Sequence, residues 1–340
     1  MPTRKSHLAF IFLLFALVLT GCITEPIRPD RPNPWLDGIG TGEPGIDDGP
    51  FNKAQFYAPC GIAVDGQDNI YVTEQPLGSV GLVRKITPEG AVSTFAGSRV
   101  LDGFNFYRDG PSSSALFFGT FGVVADNSSN VYVTDASNNR MRKIAGGQVS
   151  TVKYDPAIAP YGVAMDVQGN LYATDLINNR IIKINSDGTA KVLAGTFLSG
   201  FADGAASTAR FNGPYGLAVD GQGNVYVADE ENEAIRKITP AGLVSTIAGN
   251  GVAGMVDGPV NVAQFNSPTG VAVDEQGNVY VADRGNNRVR KISTAGIVST
   301  MTGNGNSALF NNPTGLAIDK KGQYLYITDN RNYKIRRIKL

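Results

Sequence analysis

The chain has 340 residues, with 30 lysine and arginine residues against 30 aspartate and glutamate residues, 41 glycines, two cysteines and one histidine. The balanced charge argues against a nucleic-acid partner, because phosphate binding needs a surplus of clustered lysine and arginine. A hydrophobic content of 42% with 18% charged residues excludes a disordered chain and a protein with many membrane spans.

Residues 1–21 have the features of a secretory signal peptide. Arg4 and Lys5 precede an apolar run over residues 8–19, which is short for a transmembrane helix. The run ends in Leu-Thr-Gly followed by Cys22, a segment that resembles the lipobox of bacterial lipoproteins. We therefore expect cleavage before Cys22 and acylation of its side chain, with palmitate among the lipids. The alternative is an ordinary secretory signal with an incidental cysteine.

Residues 22–34 contain four prolines and are expected to form an extended spacer between the lipid and the folded domain. Several acyl chains on one residue make a stable membrane anchor, since each buried methylene contributes about 0.8 kcal/mol. The predicted location is the cell envelope, and Thr24, rather than Asp, two residues after Cys22 favours the outer membrane by resemblance to other lipoproteins.

Cleavage also removes His7, the single histidine. Catalysis by a Ser-His-Asp or Cys-His set, and histidine ligation of a metal, are then excluded. Only Cys60 remains besides Cys22, so one chain can form neither a disulfide framework nor a cysteine zinc site.

The rest of the chain, residues 35–340, is repetitive. One template, typified by Pro-Tyr-Gly-Leu-Ala-Val-Asp followed by Gly-Asn-Val-Tyr-Val-Ala-Asp, recurs in six copies. The aspartate that ends the first strand falls at residues 65, 126, 166, 220, 274 and 319. Separations of 40 to 61 residues between these aspartates predict the blades of a β-propeller.

Each copy is expected to form four short antiparallel strands. In the fourth copy they are predicted at 216–220, 224–229, 234–238 and 243–248, with glycine-rich turns between them. The sixth copy stops after its third strand, and the N-terminal segment aligns without gaps to the fifth linker. Residues 34–39, including Trp35, are therefore predicted to supply the missing outer strand and close the ring.

The pattern Gly-Val-Ala-Val-Asp, Gly-Asn-Val-Tyr-Val-Ala-Asp and Asn-Asn-Arg-Val-Arg-Lys-Ile resembles the NHL repeat family and covers about residues 35 to 340. The resemblance implies an all-β, six-bladed propeller. It does not fix one activity, because propellers of this and related families include protein-binding scaffolds, RNA binders, lyases and calcium-dependent lactonases.

Two polar or aromatic patterns recur at fixed places in the copies, and the fourth copy departs from the first of them. The set Asp-x-x-Asn-Asn-Arg is expected to close the turn between the second and third strands, with its arginine paired locally. The linker Asp-Gly-x-x-x-x-Ala-x-Phe is expected to place its phenylalanine as a plug between blades. In the fourth copy, 229–233 holds four carboxylates, which leaves a calcium site or a solvated acidic turn open.

The residue after the first position of each inner strand is expected to surround the mouth of the central channel. These residues are Cys60, Phe121, Tyr161, Tyr215, Thr269 and Thr314. Three successive copies carry an aromatic residue at this position, which favours a ligand platform, and simple plugging of the channel is the alternative. We expect Phe121, Tyr161 and Tyr215 to form the main ligand contact, with Tyr107, from the aromatic loop 101–110, as a lid residue.

Two functions of different classes follow. The first is a monomeric, membrane-anchored, non-catalytic module that binds a protein, peptide or glycan at the channel face, with no cofactor and no nucleic acid. The second is a metal-assisted hydrolase or lyase resembling the gluconolactonase-type propellers, whose carboxylate and amide ligands gather at the channel mouth. The mouth positions carry no carboxylate, so the sequence favours the binding module, names no catalytic residue and leaves any metal site unknown.

Overall fold

The computed structural model describes residues 38–75, 81–99, 106–154, 158–302 and 310–340. The predicted signal peptide, Cys22, the proline-rich spacer and Trp35 lie outside the described residues. Within them no helix is long and apolar enough to cross a membrane.

The described residues form six antiparallel sheets, each one blade of a propeller, as predicted. The strands are numbered along the chain. The inner strands are β2 (Pro59–Val64), β7 (Thr120–Ala125), β11 (Pro160–Met165), β16 (Pro214–Val219), β21 (Pro268–Val273) and β25 (Pro313–Ile318). The second strands are β3 (Ile70–Glu74), β8 (Val131–Asp135), β12 (Leu171–Asp175), β17 (Val225–Asp229), β22 (Val279–Asp283) and β26 (Tyr324–Asp329).

The third and fourth strands complete each blade toward its outer edge. The third strands are β4 (Leu82–Ile86), β9 (Arg140–Ala145), β13 (Arg180–Ile184), β18 (Ala234–Ile238), β23 (Arg288–Ile292) and β27 (Lys334–Lys339). The fourth strands are β5 (Ala91–Ala96), β10 (Gln148–Thr151), β14 (Ala190–Gly195), β19 (Leu243–Ala248) and β24 (Ile297–Thr302). Each boundary in the fourth blade lies within two residues of its predicted position.

The sequence did not predict a fifth, two-residue strand in four of the blades. The linkers that enter blades 1, 2, 4 and 5 pair with the outer strand of the blade they enter, through β1 (Gly49–Pro50), β6 (Gly110–Pro111), β15 (Gly204–Ala205) and β20 (Gly258–Pro259). Four blades also have one turn of 3-10 helix between the second and third strands, at Ala136–Asn138, Glu230–Asn232, Arg284–Asn286 and Asn330–Asn332.

The ring closes between the two ends of the chain. Ile39 exchanges backbone hydrogen bonds of 2.8 and 2.9 Å with Ile335 on β27, and its side chain is fully buried. The inner strand β25 also packs against β2, where the Thr328 hydroxyl donates to the Cys60 carbonyl at 2.7 Å. Closure by the N-terminal segment is therefore confirmed at Ile39, while residues 34–37 lie outside the described part.

Both faces of each blade are buried against its neighbours, which explains the apolar second strands. The linker phenylalanines are fully buried between blades, as predicted; they are Phe56, Phe117, Phe211 and Phe265. The inner strands need glycine because blades approach closely there: a Cβ on Gly216 would lie 2.3 Å from the Thr269 carbonyl oxygen.

Candidate functional site

A buried ion-pair network, repeated in four blades, fixes the linkers to the blades. In blade 5 the fully buried Arg290 donates to Asp283, at the end of β22, at 2.7 Å and to Asp257 of the linker at 2.6 Å. Its guanidinium also donates to the carbonyls of Val256 and Gln264. Equivalent arginines occupy blades 1, 2 and 4 as Arg84, Arg142 and Arg236.

This network revises the predicted role of the Asp-x-x-Asn-Asn-Arg motif. Asn286 does bond to Asp283, at 2.8 Å, and Asn287 adopts the left-handed conformation that the turn needs. The arginine that pairs with Asp283 is Arg290 and not Arg288, the arginine of the motif, which lies two residues earlier. Only blade 3 follows the predicted local pairing, where Arg180 binds Asp175 at 2.7 Å and Ile182 stands in the place of the buried arginine.

The acidic turn of blade 4 is not a cation site among the described residues. Asp229 binds Arg236, Glu230 pairs with Arg284 of blade 5, and Glu233 accepts from the Ser267 backbone at 2.6 Å. No group of three or more histidine, cysteine, aspartate or glutamate side chains within the described ranges could hold a metal ion. Glu230 and Glu233 instead join blade 4 to blade 5, and Asp229 holds the buried arginine of blade 4.

The candidate site is the cavity at the channel mouth, on the face where the inner strands begin. It measures about 510 Å³ with the open solvent at its entrance included, and it is lined by the six predicted mouth residues, the glycines that follow them and one aliphatic residue from each inner strand. These six aliphatic side chains form a collar between this cavity and a second one at the opposite face, which measures about 1560 Å³ with open solvent included: Ile62, Val123, Val163, Leu217, Val271 and Leu316.

The structure brings Phe121, Tyr161 and Tyr215 together on one side of the cavity, and we call them the aromatic arc. Phe121 stacks on Tyr161 with ring centroids 3.8 Å apart, and Tyr161 meets Tyr215 edge-on at 4.5 Å. The two tyrosine hydroxyls are 3.0 Å apart. Burial raises the pKa of both tyrosines, so both hydroxyls stay protonated and neutral.

The other side of the wall is smaller and more polar. Thr269 and Thr314 are buried, and their hydroxyls donate to carbonyls of the adjacent blade. Burial, reinforced by the charge of Glu74, raises the pKa of the Cys60 thiol to about 12. Cys60 is therefore a neutral thiol at physiological pH and has no nucleophilic character there.

Tyr107 is not at the mouth. Its hydroxyl lies 2.7 Å from the Thr151 hydroxyl on the outer strand β10, and its ring stacks on the guanidinium groups of Arg140 and Arg142, at 4.3 and 4.6 Å. The prediction that Tyr107 overhangs the aromatic arc is not supported by this position, because cation–π contacts hold the ring at the edge of blade 2. We omit Tyr107 from the candidate site.

Sequence reasoning missed an ion pair at the rim of the cavity. Glu230 and Arg284 are the first residues after β17 and β22, and they bind each other across blades 4 and 5. The Arg284 guanidinium also lies 5.6 Å from the centre of the Tyr215 ring. Asn330, at the same place in blade 6, donates to the Pro59 carbonyl at 3.0 Å. Ala136 and Leu176 occupy this place in blades 2 and 3, so the rim is polar on one side only.

The NHL repeat model matches two stretches of the chain, residues 211–238 and 265–292. The chain is 37% identical over 97 residues to the chloroplastic protein SUPPRESSOR OF QUENCHING 1 of Arabidopsis thaliana, and 35% identical over 115 residues to NHL repeat-containing protein 2 of Gallus gallus. These matches cover 28% and 31% of this chain, but only 9% and 16% of the two relatives.

Solved structures share the fold over most of the chain. A protein of unknown function from Bacteroides thetaiotaomicron has a TM-score of 0.69 at 22% identity, covering 88% of this chain and 74% of its own. An auxiliary nutrient binding protein from the same organism has a TM-score of 0.66 at 17% identity, covering 89% and 75%. A gluconolactonase from Xanthomonas campestris has a TM-score of 0.59 at 16% identity, covering 84% and 87%. At these identities the likeness concerns the fold alone. The chain thus contains NHL repeats and folds as a six-bladed β-propeller.

Proposed function

We propose that this protein is a non-catalytic binding module that captures a small ligand, or the end of a larger one, in the mouth cavity. The observation that carries the proposal is the asymmetry of that cavity, with the aromatic arc on one side and the Glu230–Arg284 pair on the rim at the Tyr215 end of the arc. A concave site with apolar walls and a few convergent polar groups is the usual form of a ligand pocket. The nutrient-binding proteins among the structural neighbours share this fold, as does the gluconolactonase, so the likeness favours neither function and the proposal rests on the cavity.

The metal-assisted alternative has less support. Such an enzyme needs carboxylates or amides from several blades around one ion, and Glu230 is the one carboxylate found at the described rim, already paired with Arg284. The gluconolactonase likeness concerns the fold. We therefore adopt the binding function alone.

A thermal-shift screen with sugars, amino acids, nucleosides and short peptides tests the proposal. A ligand of the cavity raises the melting temperature of the wild type and of the control Phe118→Ala, which alters an exposed ring outside the cavity lining. Tyr161→Ala and Tyr215→Ala remove the platform and should each weaken binding at least tenfold. A compound that stabilises all four proteins alike would place its site elsewhere and overturn the proposal. Recovery of the compound unchanged after incubation separates binding from turnover.

We also propose that Cys22 carries the lipid that holds the module at the outer membrane. The support is the lipobox-like segment that ends in Cys22, followed by the proline-rich spacer. Cys22→Ala should move the protein from the membrane fraction to the soluble fraction, and mass spectrometry should find acyl chains on the wild type alone. Equal fractionation of the two proteins, with no lipid on either, would contradict the anchor.

A further inference from the structure

The rim pair has no role in the repeated network of the blades. Asp229 and Asp283, the residues just before Glu230 and Arg284, already hold the buried arginines of blades 4 and 5. Glu230 and Arg284 instead face each other across the two blades, with 13% and 27% of their side chains exposed. A charged pair in this position is not needed for folding, because the other blades carry uncharged residues at the same place.

The cavity has no net charge in its described lining. The carboxylate of Glu230 and the guanidinium of Arg284 balance each other. Cys60, Tyr161 and Tyr215 are the titratable residues of the wall, and burial raises the pKa of each, which keeps them neutral. A ligand with a net charge would lose hydration in this cavity without gaining an unpaired charge of opposite sign.

The rim still offers hydrogen bonds of both kinds. A guanidinium has five N–H donors, and among the described residues Arg284 donates only to Glu230. The carboxylate of Glu230 can accept further bonds, since two oxygens have about four lone-pair sites. Donors and acceptors side by side suit hydroxyl groups, which donate and accept at once. The aromatic arc, whose Tyr215 ring adjoins the Arg284 guanidinium, suits a flat face of C–H groups.

We propose that the ligand is an uncharged, hydroxylated ring of the size of one or two sugar units, which lies on the aromatic arc and bonds through its hydroxyl groups to the Glu230–Arg284 pair at the Tyr215 end of the arc. This inference rests on the proposed binding function and names its ligand class. The cavity is open to solvent at the mouth, so such a ring can enter from that face and remain partly outside the protein, and the aliphatic collar beneath it sets the depth to which the ring enters.

Isothermal titration with sugars that differ only in charge tests the proposal. D-galactose with D-galacturonate and D-galactosamine forms one series, and D-glucose with D-glucuronate and D-glucosamine forms a second. In at least one series the neutral sugar should bind the wild type at least tenfold more tightly than both charged analogues.

Two variants should then change the preference in opposite directions. Glu230→Gln leaves the charge of Arg284 unbalanced and should favour the uronate. Arg284→Met leaves Glu230 unbalanced and should favour the amino sugar. The matched controls are Glu231→Gln, an exposed neighbour, and Arg288→Met, at the start of β23, and both should keep the wild-type order.

The outcomes separate this inference from the proposed function. If a charged sugar binds the wild type best, or if the two rim variants keep the wild-type order, the charge-balanced site is wrong. If no sugar of either series binds while a compound from the screen binds through Tyr161 and Tyr215, the ligand class is wrong and the binding function stands. If binding survives in both tyrosine variants, the proposed function itself fails.

Discussion

The outer half of the blades and the mouth of the channel follow opposite plans. At the outer half, one arginine, two carboxylates and a buried phenylalanine recur with nearly the same distances in blades 1, 2, 4 and 5. At the mouth, no such uniformity exists, since the six wall positions hold a thiol, three aromatic rings and two hydroxyls. Repetition marks the positions that make the fold, and departure from it marks the positions free to make a site.

Removal of a buried arginine should have the largest effect. Arg236→Ile leaves the fully buried Asp229 without a cation, because Ala234 stands where blade 3 has Arg180. Breaking a buried pair in this way costs about 3–5 kcal/mol of the free energy of unfolding. Arg290→Ile should cost less, since Arg288 can bind Asp283 as Arg180 binds Asp175. Urea denaturation compares the two, and equal losses would show that the network does not work through the buried aspartate.

Truncation of the side chain that closes the ring should have the second-largest effect on stability. Ile39→Ala removes a fully buried side chain at the junction of the two chain ends, and such truncations cost about 2–5 kcal/mol. Ile39→Val should cost about 0.5–1.5 kcal/mol. Thermal unfolding measures both, and a melting temperature unchanged by Ile39→Ala would contradict closure through this segment.

Acid should weaken the outer network next. Although burial acts to raise the pKa of Asp203, hydrogen bonds from Thr246 and Arg236 hold it below its ordinary value of 3.8. A carboxyl with a lowered pKa in the folded state stabilises the protein above pH 3.8, and this contribution is lost as the pH falls through the lowered pKa.

Melting temperatures measured from pH 7 down to about pH 2 check this expectation. Asp203→Asn should melt below the wild type at neutral pH, and the difference should shrink in acid. A constant difference would mean that the charge of Asp203 contributes nothing.

A threonine in blade 4 should stabilise the ring slightly. In blades 1, 2, 3 and 6 a threonine hydroxyl of the second strand accepts from an inner-strand glycine, and in blade 3 it also donates to the Tyr215 carbonyl of blade 4. Blade 4 has Ala228 there, so Ala228→Thr should add about 0.5–1.5 kcal/mol. Ala282→Thr should gain less, because Thr269 already donates to the Thr314 carbonyl. Chemical denaturation resolves these changes, and a lower stability of Ala228→Thr would show that a threonine at this position does not stabilise the propeller.

The smallest effect on stability is expected at the rim. Arg284→Gln should change the free energy of unfolding by no more than about 1 kcal/mol, because the glutamine amide can still donate to Glu230 and both side chains keep some contact with solvent. Urea denaturation of Arg284→Gln and Arg236→Ile under the same conditions compares their losses of free energy of unfolding directly. A loss comparable to that of Arg236→Ile would make the rim part of the scaffold.

The sequence allowed six blades, their strands and the buried linker phenylalanines to be predicted, because each feature repeats with its turns. The buried arginines were missed since Arg-Lys-Ile has the alternation of a strand with a solvated side, and burial of Arg290 depends on Asp257 from a distant linker. One signal was available: blade 3 lacks both the Asp-Gly linker motif and the arginine, with Ile182 in the place of the arginine.

The candidate site was predicted in part. The aromatic arc followed from Phe121, Tyr161 and Tyr215 at equivalent positions of successive repeats, which a closed ring must place side by side. The Glu230–Arg284 pair was missed because 54 residues separate the two side chains, and only the curvature of the ring brings them into contact. Tyr107 was misplaced because an aromatic residue in a loop has several possible partners.

The aliphatic collar divides the channel into two compartments. The collar side chains, such as Val163, Leu217 and Val271, are each at most 8% exposed and offer water no hydrogen-bonding partners. Apolar constrictions of this kind exclude water by dewetting. Under the proposed function, a ligand would then leave through the mouth by which it entered and not through the collar. The lifetime of the complex would therefore be set at the rim, by how often Glu230 and Arg284 release the ligand.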